Sequence, residues 1–157
     1  MRNTIQDRIE HLELFRSCTR QERRTIARLG TVVDIPAGRW LIAAHSVPSQ
    51  LVVVLDGVLH VEDQRGHTHL VRAGGWVGDE ALLDGTVNPA TVVTRTDCRL
   101  LVYNAREFAT LLYLAPSVRL RLYAAVAARR TPTPAPVDWP VEAAPVEPTS
   151  TPRAATG

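Results

Sequence analysis

Two stretches of this 157-residue chain carry side chains whose types and spacing suit chemistry. The first runs from Gly74 to Val92. Gly78 frees the backbone, Asp79 supplies a carboxylate, and Glu80, Ala81, Leu82 and Leu83 read as one helical turn. Gly85 then releases the chain toward a strand, so the whole forms a concave loop. Backbone amides at the start of a short helix seat an anion. A neighbouring carboxylate suits the hydroxyls of a sugar, so a sugar phosphate would satisfy both halves. The second stretch is His67-Thr68-His69, where a two-residue period puts both imidazoles on one face of a strand. Arg72 and Ala73 follow, leaving no third ligand, whereas an open catalytic metal site normally needs three. Two histidines on an exposed hairpin strand are therefore expected, with no metal and no cofactor. No nucleophile motif or phosphate-transfer motif is present, and the expectation is a protein that is not an enzyme.

The elements that must position these residues show in the periodicity. Thr4 reads as an N-cap for a helix carrying Ile5, Ile9 and Leu12. Thr19 to Glu22 form a capping box for a second helix, with Ile26 and Leu29 on its apolar stripe and Gly30 at its stop. Arg16, Arg20, Arg23, Arg24 and Arg28 crowd there and read as a solvated face. Short β-branched runs follow at 31–35, 39–42, 51–55, 58–62, 67–71, 91–95 and 100–103, a barrel or sandwich pattern. Asp56-Gly57 between two apolar runs predicts a hairpin. Between Gly74 and Thr91 the strand pattern stops. Asn104 and Glu107 then open a helix that Pro116 ends, and another runs from Ser117 to Arg130, with Arg129 and Arg130 placed against its C-terminal dipole.

Of the 11 prolines, seven fall in the last 27 residues. Residues 1–130 read as one domain, large enough to fold without disulfides. Residues 131–157 read as a disordered Pro-rich tail in which Trp139 is a candidate anchor for a protein partner. The net charge of +2 is too weak for a nucleic-acid binder. Cys18 and Cys98 form no paired motif, nothing near Met1 resembles a signal peptide, and no apolar run is long enough to span a membrane, so a cytoplasmic protein is expected.

The stretch GDEALLDGTVNPATV resembles the phosphate-binding cassette of the cyclic nucleotide-binding domain family, whose pattern is G-E-x-A-L-x, a short loop and R-x-A-T/S-V. Leu14-Phe15, Gly38, Gly57, Gly74, Phe108 and Pro116 match the family in order. The resemblance implies an eight-stranded antiparallel jelly-roll barrel, mainly β, with N-terminal helices and two C-terminal helices. It also implies a ligand site at Gly78, Asp79, Glu80, Ala81, Asn88, Pro89, Ala90 and Thr91, and a last helix whose Arg119, Leu122 and Tyr123 are candidates to cover the base. Asp79 stands where the family's ribose-binding glutamate is, and Asn88 where its phosphate-binding arginine is. Pro89 follows without an N–H. His45 replaces a usual glycine and Gly75 a usual aspartate. Losing a charge-assisted contact of about 1.5 to 3 kcal/mol, with a buried charge left unmatched at about 2 to 5 kcal/mol, lowers affinity for a cyclic nucleotide by roughly two to three decades. Arg72 and Arg95 are candidates to reach in from neighbouring strands. No helix-turn-helix follows the last helix. The expected function is a stand-alone regulatory module of this family, a sensor of cyclic AMP or cyclic GMP with weakened or lost phosphate binding. The alternative is a ligand-independent adaptor acting through protein contacts and its tail.

Overall fold

The computed structural model describes residues 5–130. The tail from Thr131, Trp139 within it and the Thr4 cap lie outside the described residues. Eight strands follow one another as β1 (Thr31–Ile35), β2 (Trp40–Ile42), β3 (Gln50–Asp56), β4 (Val58–Asp63), β5 (Thr68–Arg72), β6 (Trp76–Val77), β7 (Ala90–Thr94) and β8 (Cys98–Asn104). They form two four-stranded antiparallel sheets, ordered β1-β8-β3-β6 and β2-β7-β4-β5, the jelly-roll arrangement expected. Helices α1 (Ile5–Ile9) and α2 (Arg20–Leu29), with a 3-10 turn at Glu13–Phe15 between them, precede the sheets. Helix α3 (Asp79–Asp84) interrupts them, and α4 (Ala105–Leu114) and α5 (Pro116–Arg130) follow.

β3 explains the layering, because every residue from Leu51 to Leu55 is buried. Its side chains alternate between two cores. Leu51, Val53 and Leu55 pack with Phe15, Ile26, Phe108, Leu111 and Leu122 between sheet and helices. Val52 and Val54 pack with Ile42, Leu59, Val61 and Val92 between the two sheets. Each such side chain contributes about 1.5–3 kcal/mol when taken from water, so both layers must be covered.

The helices are tied down by polar groups as well. Thr19 and Glu22 form the expected reciprocal cap on α2. The Glu22 carboxylate also accepts Ser117 N at 2.9 Å and Ser117 Oγ at 2.8 Å, joining the starts of α2 and α5. Buried Tyr103 donates its hydroxyl to Ile26 O at 2.7 Å.

Four local features differ from the sequence reading. Asp56-Gly57 is not a hairpin, because β3 pairs with β6 and β8 while β4 pairs with β5 and β7; the turn carries the chain from one sheet to the other. Gly30 ends α2 in an extended conformation rather than a left-handed one. Its glycine is required by close approach, since a Cβ would meet Leu101 Cδ1 at 2.6 Å. The first helix stops at Ile9, and Leu12 leads into the 3-10 turn. The two-residue β6 lies inside the segment read as strand-free, too short to show a period. Pro116 both ends α4 and begins α5, and the chain bends by 111° between them. Among the described residues no single helix is long and apolar enough to cross a membrane.

Burial pushes the Glu22 carboxyl up, but hydrogen bonds from Thr19 and Ser117 outweigh it and hold the group below the usual carboxylate range. A carboxylate held low contributes stability above its unfolded pKa and loses it as pH falls through the folded value. Glu22→Gln should therefore cost about 1–3 kcal/mol at neutral pH. The gap from the parent protein should close as pH drops below about 4.3, the ordinary glutamate value. Thermal unfolding of both proteins across that range checks this, and a gap independent of pH would contradict it.

Candidate functional site

The loop between Gly74 and Thr91 hangs from β3. β6 pairs with it at Val52–Val77 and Val53–Trp76, which sets Gly78 against the strand's start. Gly78 has φ +93° and a Cβ there would lie 2.2 Å from Gln50 O, so only glycine fits. Helix α3 begins at the next residue and runs six residues to Asp84. With so few aligned peptides its dipole is small, and the anion seat expected at its start is correspondingly weak.

The return arm is stitched to the turn between β2 and β3. Asn88 N donates to Ser46 O at 2.9 Å and His45 N to Asn88 O at 2.8 Å. The Asn88 side-chain amide donates to Ser46 Oγ at 2.9 Å and also approaches the carbonyls of Ser46 and Val47. His45 has φ +68°, the one non-glycine residue with positive φ among the described residues, which explains why glycine suits its position. Asn88 is thus a buried structural staple.

Between this loop and the sheets lies a cavity of about 250 Å³. Gly78 lines it from the N-cap of α3, Asp79, Glu80 and Ala81 from its first turn, and Asn88, Pro89 and Ala90 from the return arm. Ile42, Val61 and Val92 make it continuous with the core between the sheets. His67 and His69 line it together, as their period predicts, with Asp63 held 3.2 Å from His67 Nδ1. Among the described residues no group of three or more His, Cys, Asp and Glu is placed to hold a metal. Cys18 and Cys98 are buried free thiols. Burial, helped by the Glu22 charge, pushes Cys18 up to about 11, so its thiol stays protonated and unreactive.

Asp79 is the centre of the polar network. It is 1% exposed, and its Oδ2 accepts Trp76 Nε1 at 3.0 Å and an Arg129 nitrogen at 2.5 Å. Its Oδ1 is buried with no hydrogen-bond partner among the described residues. Next to it, Arg130 bonds Glu80 Oε1 at 3.0 Å and also pairs with Asp84. Of the two last arginines of α5, read from sequence as partners of their own helix end, Arg129 does donate Nε to Ala125 O at 3.3 Å, and both also grip α3.

Several expected residues lie elsewhere. Thr91 does not line the cavity: residues 90 and 92 of β7 do, so Thr91 has the opposite parity, and its hydroxyl accepts Ala44 N at 3.2 Å. Parity removes Arg72 in the same way, since His69 on β5 faces the cavity, and Arg95 is exposed beyond the end of β7. Leu122 is fully buried in the helix-side core, Tyr123 is half-exposed, and exposed Arg119 donates to Leu112 O at 3.3 Å. None of these three lines the cavity, whereas Arg129, Trp76 and Asp63 do. No local motif announces Arg129, because 50 residues separate it from Asp79.

A jelly roll that holds an apolar cavity with converging polar groups beside an inserted short helix defines a small-ligand-binding domain. The chain belongs to the cyclic nucleotide-binding domain family, whose model matches residues 32–113. Solved structures share the fold. A cAMP-bound PfPKA-R gives a TM-score of 0.71 at 18% identity over 78% of this chain and 43% of that one. A PKAR CBD2 bound to Sp-2Cl-cAMPS gives 0.71 at 17% over 80% and 84%. The Thermus thermophilus catabolite activator protein gives 0.66 at 22% over 74% and 57%. The chain thus spans less than half of the first and under two thirds of the last. Among curated proteins no sequence matches.

Arg129→Ala would leave the Asp79 carboxylate buried without its cation and should cost about 1–3 kcal/mol. In an Asp79→Asn background the same change should cost far less. A double-mutant cycle read by denaturant unfolding measures the coupling, and additive effects would show that the pair contributes nothing.

Proposed function

We propose that this domain is a non-catalytic regulatory module that binds a small ligand in the cavity beside α3 and passes its occupancy to α5. One observation carries the proposal: the residue at the centre of the cavity's polar network, Asp79, is held by Arg129 from the last turn of α5. A molecule that engages Asp79 competes with or reinforces that grip, and either effect moves the helix that leads out of the domain. The output then goes to a protein partner.

Cyclic AMP and cyclic GMP are the reference ligands that family membership suggests, and their phosphate is poorly served here. The Asn88 amide is committed to Ser46 and Val47, and Pro89 has no N–H to offer. Weak cyclic nucleotide binding fits this geometry. The second reading, a ligand-independent adaptor, is favoured by the exposed apolar side chains Tyr113, Leu114, Leu120 and Tyr123 on α4 and α5.

Titration calorimetry of the full chain with both cyclic nucleotides separates the readings. Dissociation constants below tens of micromolar would remove the adaptor reading. The pair Asn88→Arg and Pro89→Ala should tighten cyclic AMP binding by about 10- to 100-fold, the worth of one charge-assisted contact. It should also lower stability, because the hydrogen bonds of Asn88 to the 43–47 turn are lost. Unchanged affinity would contradict the placement of residue 88 at the phosphate.

A further inference from the structure

The cavity's own polar groups point to a ligand class, an inference that rests on the small-ligand reading above. Three carboxylates, Asp63, Asp79 and Glu80, line the cavity, and two guanidiniums are already committed to them, Arg129 to Asp79 and Arg130 to Glu80, so one carboxylate stays without an arginine. An anion entering it meets an excess of one negative charge and no uncommitted cation among the lining residues, so its entry is disfavoured. Nothing on the return arm offsets this, since the Asn88 amide is turned to the 43–47 turn. The second observation is independent of charge. Asp79 lines the cavity and is 1% exposed, and its Oδ1 is a buried acceptor with no donor among the described residues. Buried acceptors in folded proteins are satisfied almost without exception. The remaining wall is apolar, from Ile42, Val61 and Val77, with the Trp76 indole beside Asp79.

We infer that the cavity selects an uncharged ring compound bearing hydroxyl or amino donors, one of which bonds Asp79 Oδ1, and discriminates against ligands that carry a phosphate. Neutral nucleosides belong to this class. The cavity's volume of about 250 Å³ lies just below the usual range for ligand sites, roughly 300 to 1,000 Å³, which also favours the molecule without the phosphate.

Adenosine and 3′,5′-cyclic AMP share base and sugar and differ by the anionic group, so they isolate the charge. Calorimetry of the full chain should give a dissociation constant for adenosine about tenfold or more below that for cyclic AMP. Asp79→Asn, which keeps the residue's size, should weaken adenosine at least tenfold. Should that variant unfold, the Asn88→Arg and Pro89→Ala pair provides the second reading: it should shift the preference toward cyclic AMP. Cyclic AMP binding as tightly as adenosine, or more tightly, overturns the inference and leaves the small-ligand function standing. No binding of either molecule at millimolar concentration overturns both.

Discussion

Leu51 to Leu55 lie on a strand buried on both faces, and this double burial sets the terms for the rest of the domain. One face needs the opposite sheet, with Leu59, Val61 and Val92, and the other needs the helices, with Ile26, Phe108 and Leu122. Because the segment cannot lie at an edge, β8 pairs along one side and the short β6 along the other. β6 then delivers Gly78 against Gln50, and the cassette helix starts from there. The position of the site therefore follows from the packing of a strand that contributes no side chain to the cavity's polar network.

The site itself is a balance of charges drawn from distant parts of the chain. α3 presents Asp79, Glu80 and Asp84, and α5 answers with Arg129 and Arg130. The exposed members of this set contribute little each, as surface ion pairs do. Asp79 differs because it is buried, so its pairing with Arg129 and Trp76 decides whether the carboxylate is tolerated. Glu22 plays a comparable part at the other end of α5, where it caps α2 and holds Ser117. Both ends of α5 are thus fastened by carboxylates from elements far away in sequence.

Much of the fold was legible beforehand because its signals are local. The Thr19–Glu22 and Asn104–Glu107 caps need only three residues' spacing, and seven of the eight strands show as β-branched runs. The failures have a common cause. Asp56-Gly57 has hairpin chemistry, yet its flanking strands enter different sheets, which local turn preference cannot foresee. β6 is two residues long and carries no period. For the site, the loop from Gly78 to Ala90 announced its residues through glycine placement and a carboxylate, and the structure gathers them along one cavity. The covering helix could not be read in the same way, because facing depends on how α5 leans. Its crossing brings Arg129 to the cavity while Arg119 and Tyr123 stay outside.

By itself, the sequence determined most of the segments that become strands and helices, β6 excepted, where the α2 and α4 caps lie, and that a carboxylate follows a glycine hinge in a cassette-like loop. These depend on neighbours within a few residues, where backbone sterics and hydrogen bonding act directly. Only the tertiary structure decided that Asn88 serves the 43–47 turn, that Thr91 faces away, and that Arg129 pairs with Asp79 across 50 residues while leaving one oxygen without a donor among the described residues. Those outcomes follow from strand parity and helix crossing. Both are fixed by the closing of two cores around β3, a constraint that no local spacing records.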